Sequence, residues 1–252
     1  VWYAGDVTRP GSNAQFQAVD HRVVALAPQS LADAEAAALP LTAITAWELL
    51  FERLQVQAGP ERPVSLLITG AAGGVGSILV QLARSLPHLT VIATASRPES
   101  AAWLRELGAH HVIDHGQPLA AQIAALGVAP LRYVSSLTHT PQHFNELITA
   151  LEPQGRLALI DDFAPDALNV MALKGKSISL HWEMMFTRTM HQTADIAEQG
   201  ALLAEVARRI DARALRSTLG QVVGPINAAN MKKAHAMIES QHTRGKLVLQ
   251  GF

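Results

Sequence analysis

The 252-residue chain contains no cysteine, which excludes disulfides and thiolate metal sites within it and fits a reducing compartment. It has almost no net charge, 20 basic against 21 acidic residues, so no polyelectrolyte attraction draws it to nucleic acid or to an anionic membrane. No uninterrupted apolar run approaches the ~18–20 residues that span a bilayer, and the start carries no signal-peptide pattern. These absences lead us to expect a cytoplasmic protein whose partner is a small molecule, not nucleic acid or membrane. The chain opens on "VWYAGD", without methionine and already reading as strand and turn, as a fragment cut from inside a domain would. What it does have is 49% hydrophobic residues, enough for one large domain or two smaller ones.

From Ser65 onward short apolar runs alternate with helical patterns: "SLLIT", Val75 to Ser85, "TVIAT", Ser100 to Leu107, "HVI", Leu119 to Leu126, "RYVSSL", Gln142 to Leu151 and "RLALI". That alternation predicts a doubly wound parallel α/β sheet with helices on both faces. Pro98, Pro118 and Pro141 stand at expected helix starts, and Gly108 and Gly127 at expected ends. "LADAEAAALP" suits a short buried helix. After "KSISLHW" the alternation stops, an amphipathic helix is expected over roughly Thr193 to Asp211, and "KLVLQGF" reads as a last strand.

Four glycines crowd the stretch "TGAAGGVGS", between a strand and a helix. Glycine there costs backbone entropy, and the return is close approach of a ligand to the main chain. A strand, then Ala71, Ala72, Gly73, Gly74, Val75 and Gly76, then a helix is the dinucleotide-binding turn, whose N–H groups receive a pyrophosphate. The same letters fit the TGxxxGxG of short-chain dehydrogenases, but four residues beyond Tyr3 and Tyr133 stand Val7 and Leu137, so the YxxxK pair is absent. No lysine follows the glycines, which removes the GxxxxGK[ST] phosphate loop. Where a ribose-binding acid would close the second strand stand Ala95 and Ser96, with Arg97 next. Arginine grips a 2'-phosphate through paired charge-assisted bonds, so the expected cofactor is NADPH. Ser96 is also the natural cap of the following helix. "SLTHT" closes the fourth strand at the carboxyl edge, so Leu137 to Thr140, with Leu137 and Thr138 foremost, are expected along the cofactor channel.

In order and spacing, "AAALPLTAITAWELL", "TGAAGGVGSILVQLAR", "ATASRPES", "LRELGAHHVIDH", "LEPQGRLALID" and "GPINAANMKKAHAMIES" with "GKLVLQGF" resemble the medium-chain dehydrogenase/reductase superfamily, in its quinone oxidoreductase-like and zinc-type alcohol-dehydrogenase-like branch. The resemblance runs over essentially the whole chain. It implies a Rossmann domain inserted in a partial GroES-like catalytic domain: residues 1–45 as the remnant of the catalytic domain, 46–190 as the NADP-binding domain, and 191–252 returning to the first. It also implies hydride transfer to a quinone, enone or other carbonyl, Thr45 against the nicotinamide, Lys246 on the pyrophosphate, Trp182 and Glu183 at the substrate pocket, and pairing into a homodimer.

Zinc-dependent members carry a cysteine four residues before that threonine; here the position is Leu41, which cannot ligate a metal, so a zinc-free protein is expected. The alternatives are a zinc-dependent alcohol dehydrogenase with ligands in a missing N-terminal part, and an NADPH-binding protein without turnover. His110, His111, His115, His139 and His143 gather near Asp114 in the sequence, but His111 and Asp114 flank a short strand whose ends point apart, so they read as loop histidines.

Overall fold

The alanine-rich stretch forms the short helix α1 (Asp33–Ala37), which buries Ala34 and Ala36, and Pro40 then opens α2 (Pro40–Trp47). The next turn, Glu48–Arg53, widens into a π-helix, with Leu54 N–H reaching back to the Leu49 carbonyl at 2.9 Å. The computed structural model describes residues 1–57 and 62–252. They divide into two compact units, 1–45 with 184–252, and 46–183. The nucleotide domain expected to run to 190 thus closes at Glu183, directly after its last strand. By length and composition the helical run Asp33–Arg53 is apolar enough to cross a membrane, yet 72% of its most apolar window is buried, as in a core helix.

The unit 46–183 carries the expected alternation: β1 (Val64–Thr69), α3 (Gly74–Arg84), β2 (Leu89–Thr94), α4 (Pro98–Glu106), β3 (His111–Ile113), α5 (Leu119–Ala125), β4 (Leu131–Ser136), α6 (Thr140–Ala150), β5 (Arg156–Leu159) and β6 (Ser179–Trp182). All six strands are parallel, in the order β3-β2-β1-β4-β5-β6. Every residue of β1 is buried, which is why it reads as an unbroken apolar run and not an alternating one. Leu67, Val134 and Leu157 of three neighbouring strands share a core cluster with Ile123 of α5 and Phe144 and Leu147 of α6. Because β1 leads to β2 on one side and neighbours β4 on the other, the winding reverses between β1 and β4, and the carboxyl ends of strands at such a reversal are where sheets of this kind receive ligands.

Lys176 secures the far end of α6. Its ammonium donates to the carbonyls of Ile148, Thr149 and Leu151 at 2.9, 2.8 and 2.7 Å, three acceptors that a helix end leaves without partners. Lys176→Met is expected to cost about 2 kcal/mol, the scale of hydrogen bonds to a charged group. Thermal unfolding checks this, and a variant as stable as the wild type would show that water replaces the ammonium without loss.

The other unit adds α7 (Thr187–His191), α8 (Glu198–Asp211), β7 (Leu219–Gly224), α9 (Ala228–Glu239) and β8 (Lys246–Leu249), with β7 and β8 pairing in parallel. The amphipathic helix expected from Thr193 starts only at Glu198. Gln192 takes a left-handed backbone (φ 47°), and Asp195 turns back to accept from Arg188 Nε at 3.0 Å. A local ion pair there outweighs helix periodicity.

Candidate functional site

At the carboxyl end of β1 the chain turns through Gly70, whose φ of +62° lies in the left-handed region that favours glycine. Gly73 N–H bonds the Gly70 carbonyl at 3.2 Å, and Gly73 then caps α3 with no side chain contributing. The first helical residues, Gly74, Val75 and Gly76, thereby present main-chain N–H groups as a helix N-terminus presents them to an anion. Gly76 has a different reason to be glycine. A Cβ there would sit 2.4 Å from both Cα and the carbonyl oxygen of Ala71. Helix and turn are packed backbone to backbone, and Ala71 is fully buried.

A line of hydroxyls lies beside this turn that sequence reasoning missed. Thr140 Oγ1 donates to Asp161 Oδ1 at 2.5 Å, and Thr140 N–H to Oδ2 at 2.9 Å. Because the carboxylate only accepts, the remaining bonds run one way: Ser136 donates to Thr140 (2.7 Å), Thr69 to Ser136 (3.2 Å), and Leu137 N–H to Thr69 Oγ1 (3.3 Å). Thr69, Ser136 and Thr140 are all buried. The ladder ties Leu137 and Thr138 to the glycine turn, so closely that a Cβ on Gly70 would meet the Thr138 methyl at 2.7 Å. His139 completes the bend in a left-handed conformation (φ 53°), a strain seen where a loop is held for a purpose.

Arg97, not Ser96, takes the cap position of α4, and Pro98 follows as its first residue. The expectation that Ser96 caps this helix is therefore corrected: Pro98 fixes the start one residue later, and Ser96 stands exposed beyond β2. Arg97 Nε lies 3.8 Å from Glu99 Oε1. At the end of β6 Trp182 is 53% exposed, its ring 5.4 Å from that of Phe163. Glu183 is buried, with its carboxylate on Arg53 Nε at 2.7 Å. The turn, Ser96, Arg97, Leu137, Thr138, Trp182 and Glu183 thus all lie in one unit, at the carboxyl edge of one sheet.

Thr45 and Lys246 belong to the other unit. Thr45 is buried and its hydroxyl donates to the Leu41 carbonyl at 3.0 Å. Lys246 opens β8, and burial lowers its ammonium pKa.

Leu41, at the position where the resemblance would put a zinc ligand, has an aliphatic side chain, and among the described residues no three His, Cys, Asp or Glu converge on a point. Among the described residues, then, no set of side chains has the convergence that zinc requires. His115 and His143 approach edge to face at 6.4 Å between ring centres, and His143 is buried, which depresses its pKa together with the charges of His115 and His139. His110 Nδ1 accepts from Val91 N–H at 2.9 Å, bracing β2.

Residues 107–249 match the zinc-binding dehydrogenase family. A zinc-type alcohol dehydrogenase-like protein of Staphylococcus aureus (strain MRSA252) is 37% identical over 251 residues, covering 99% of this chain and 74% of that protein. The crystal structure of a candidate zinc-dependent alcohol dehydrogenase from Rhizobium etli CFN 42 superposes with a TM-score of 0.94 at 55% identity, over 99% of this chain and 73% of its own. A mycobacterial protein solved in complex with NADPH superposes with a TM-score of 0.70 at 28% identity, over 88% of this chain and 66% of its own.

Proposed function

The chain belongs to the zinc-type alcohol dehydrogenase-like family of the medium-chain dehydrogenase/reductase superfamily, and from that premise we propose an NADPH-dependent, zinc-independent reductase of a quinone, an enone or another carbonyl. The observation that carries the reading is the turn from Gly70 to Gly76, where a left-handed glycine, an uncapped helix start and a backbone contact closed to any Cβ coincide. Arg97 supports the phosphate-bearing form of the cofactor, and the mycobacterial relative bound to NADPH agrees with it.

When bound, the cofactor supplies the hydride, and the protein supplies binding, orientation and electrostatics. In this reading the N–H groups of Gly74, Val75 and Gly76 hold the pyrophosphate. Ser96 and Arg97 hold the adenosine phosphate. Leu137 and Thr138, fixed by the hydroxyl ladder, shape the channel. Trp182 offers an exposed aromatic face to a flat unsaturated substrate. With leucine at position 41, charge developing on the substrate oxygen is met by hydrogen-bond donors in place of a metal.

NADPH oxidation by the purified protein should proceed with a quinone or enone in the presence of a zinc chelator, with no stoichiometric zinc by elemental analysis. Turnover abolished by the chelator and restored by zinc would replace this reading with a zinc-dependent dehydrogenase. Tight NADPH binding without oxidation across quinones, enones and aldehydes would make the protein a binding module.

A further inference from the structure

The glycine turn is braced from a second helix. Ser77, the fourth residue of α3, is fully buried. A helical serine ordinarily turns its hydroxyl back to the carbonyl four residues earlier, here that of Gly73, which already accepts the Ser77 N–H at 2.9 Å. Ser77 Oγ lies instead 3.3 Å from the carbonyl oxygen of Ala72, one residue further back and inside the turn. Trp103 of α4 sets that direction. Its indole Nε1–H donates to Ser77 Oγ at 2.9 Å, and since an indole nitrogen only donates, the hydroxyl's own proton is left for Ala72.

The peptide that joins Ala72 to Gly73 is therefore held at both ends, its carbonyl by Ser77 and its N–H by the Gly70 carbonyl at 3.2 Å. That peptide needs holding. Turning it over changes φ of Gly73, now −72°, and glycine passes to positive φ with little steric cost. A reversed peptide gives up the Gly73 bond to Gly70 and swings the Ala72 carbonyl, the negative end of the peptide dipole, to the opposite side. Gly73 is also the cap residue of α3, so its setting directs the N–H groups of Gly74, Val75 and Gly76 that follow.

We infer that Trp103 is a positioning residue for the turn: through the Ser77 hydroxyl it locks the Ala72–Gly73 peptide and with it the start of α3. Arg97 takes the cap position of the helix that carries Trp103. The same link thus fastens that helix to the turn, and both phosphate contacts of the proposed cofactor are held in one frame. In what it does for a cofactor the inference rests on the reductase reading; the lock itself does not.

The lock is tested first without nucleotide, which separates its failure from that of the reductase reading. Trp103→Phe keeps an aromatic ring and loses the N–H. Amide exchange at Gly73 should quicken about fivefold in this variant, the weight of one hydrogen bond, and the Ala72 carbonyl carbon should shift in the NMR spectrum. Exchange at Leu67, in the middle of β1, should stay as in the wild type. Ser77→Ala, which removes a single oxygen, should quicken Gly73 as much, and the double variant no further. With nucleotide, Trp103→Phe should weaken NADPH and NADH by the same factor, about fivefold, where Arg97→Ala is selective. A Gly73 amide unchanged in both single variants, or quickened together with Leu67, or additive effects in the double variant, overturn the lock. Faster exchange at Gly73 with unchanged affinity for a nucleotide that the wild type binds overturns the positioning role. A wild type that binds neither nucleotide counts against the reductase reading alone, and the amide result decides the lock.

Discussion

Replacing Gly76 with alanine is expected to lower the melting temperature and abolish NADPH binding together. The added methyl would lie 2.4 Å from Ala71 Cα and 2.4 Å from Ala71 O, a separation no real Cβ tolerates. The obstacle is backbone on a fully buried residue, so no side chain can rotate away; α3 must lift from the turn. Overpacking of this kind costs about 3 kcal/mol, and with a shift of about 2–4 °C for each kcal/mol in a protein of this size the midpoint should fall by roughly 10 °C. Binding is lost by the same movement, because the N–H groups that open α3 no longer converge. Gly70→Ala is the contrast. Its methyl meets the Thr138 methyl at 2.7 Å and its φ of +62° is strained, at a cost of about 1–2 kcal/mol, but the neighbour is a side chain that can turn. Gly70→Ala should therefore melt between the wild type and Gly76→Ala and retain measurable binding. Thermal unfolding with a fluorescence titration of each variant decides it. Should Gly76→Ala melt within about 2 °C of the wild type, helix and turn are not locked as described.

The contrast between these glycines and the rest of the site shows what a sequence can carry. The turn was legible because its demands are local: a left-handed residue and a close backbone contact within seven positions, set between an apolar run and a helix. The strands were legible because burial on both faces leaves an unbroken apolar run. The hydroxyl ladder was not, since Thr69 lies 67 residues from Ser136, and Thr140 lies 21 from Asp161. They meet only when β1 and β4 pair in register, Thr69 opposite Ser136. The sequence signal was that Thr69 and Ser136 each close a strand, with Thr140 and Asp161 following shortly after strand ends. The π-turn was hidden for another reason. "ELLFER" continues the helical period of "TAITAW", and the widening over Glu48–Arg53 has no propensity signature; the ion pair of Arg53 with Glu183, 130 residues away, forms only in the folded chain.

Arg97→Ala is expected to erase a preference of at least tenfold for NADPH over NADH, a difference of about 1.4 kcal/mol. The carboxyl end of β2 holds no acid to accept from a ribose hydroxyl or repel a phosphate; Ser96 is exposed and Arg97 follows at the start of α4. Arg97 stands 3.8 Å from Glu99, which is 62% exposed. Such a surface pair is worth about 1 kcal/mol at most, less than two parallel charge-assisted bonds to a phosphate dianion. The substitution should act on one cofactor alone, weakening NADPH and leaving NADH where it was, because in the proposed reading the pyrophosphate is held by main chain at another strand end. Raised salt should narrow the wild-type preference in the same direction, since the phosphate contact is solvent-exposed. Equal affinities in the wild type would detach Arg97 from the adenosine end and leave a reductase indifferent to the phosphate. Loss of both cofactors in Arg97→Ala would mean that the arginine supports the fold of the edge and not the recognition of a ligand. Only a selective loss of NADPH joins Arg97 to the glycine turn as one binding surface.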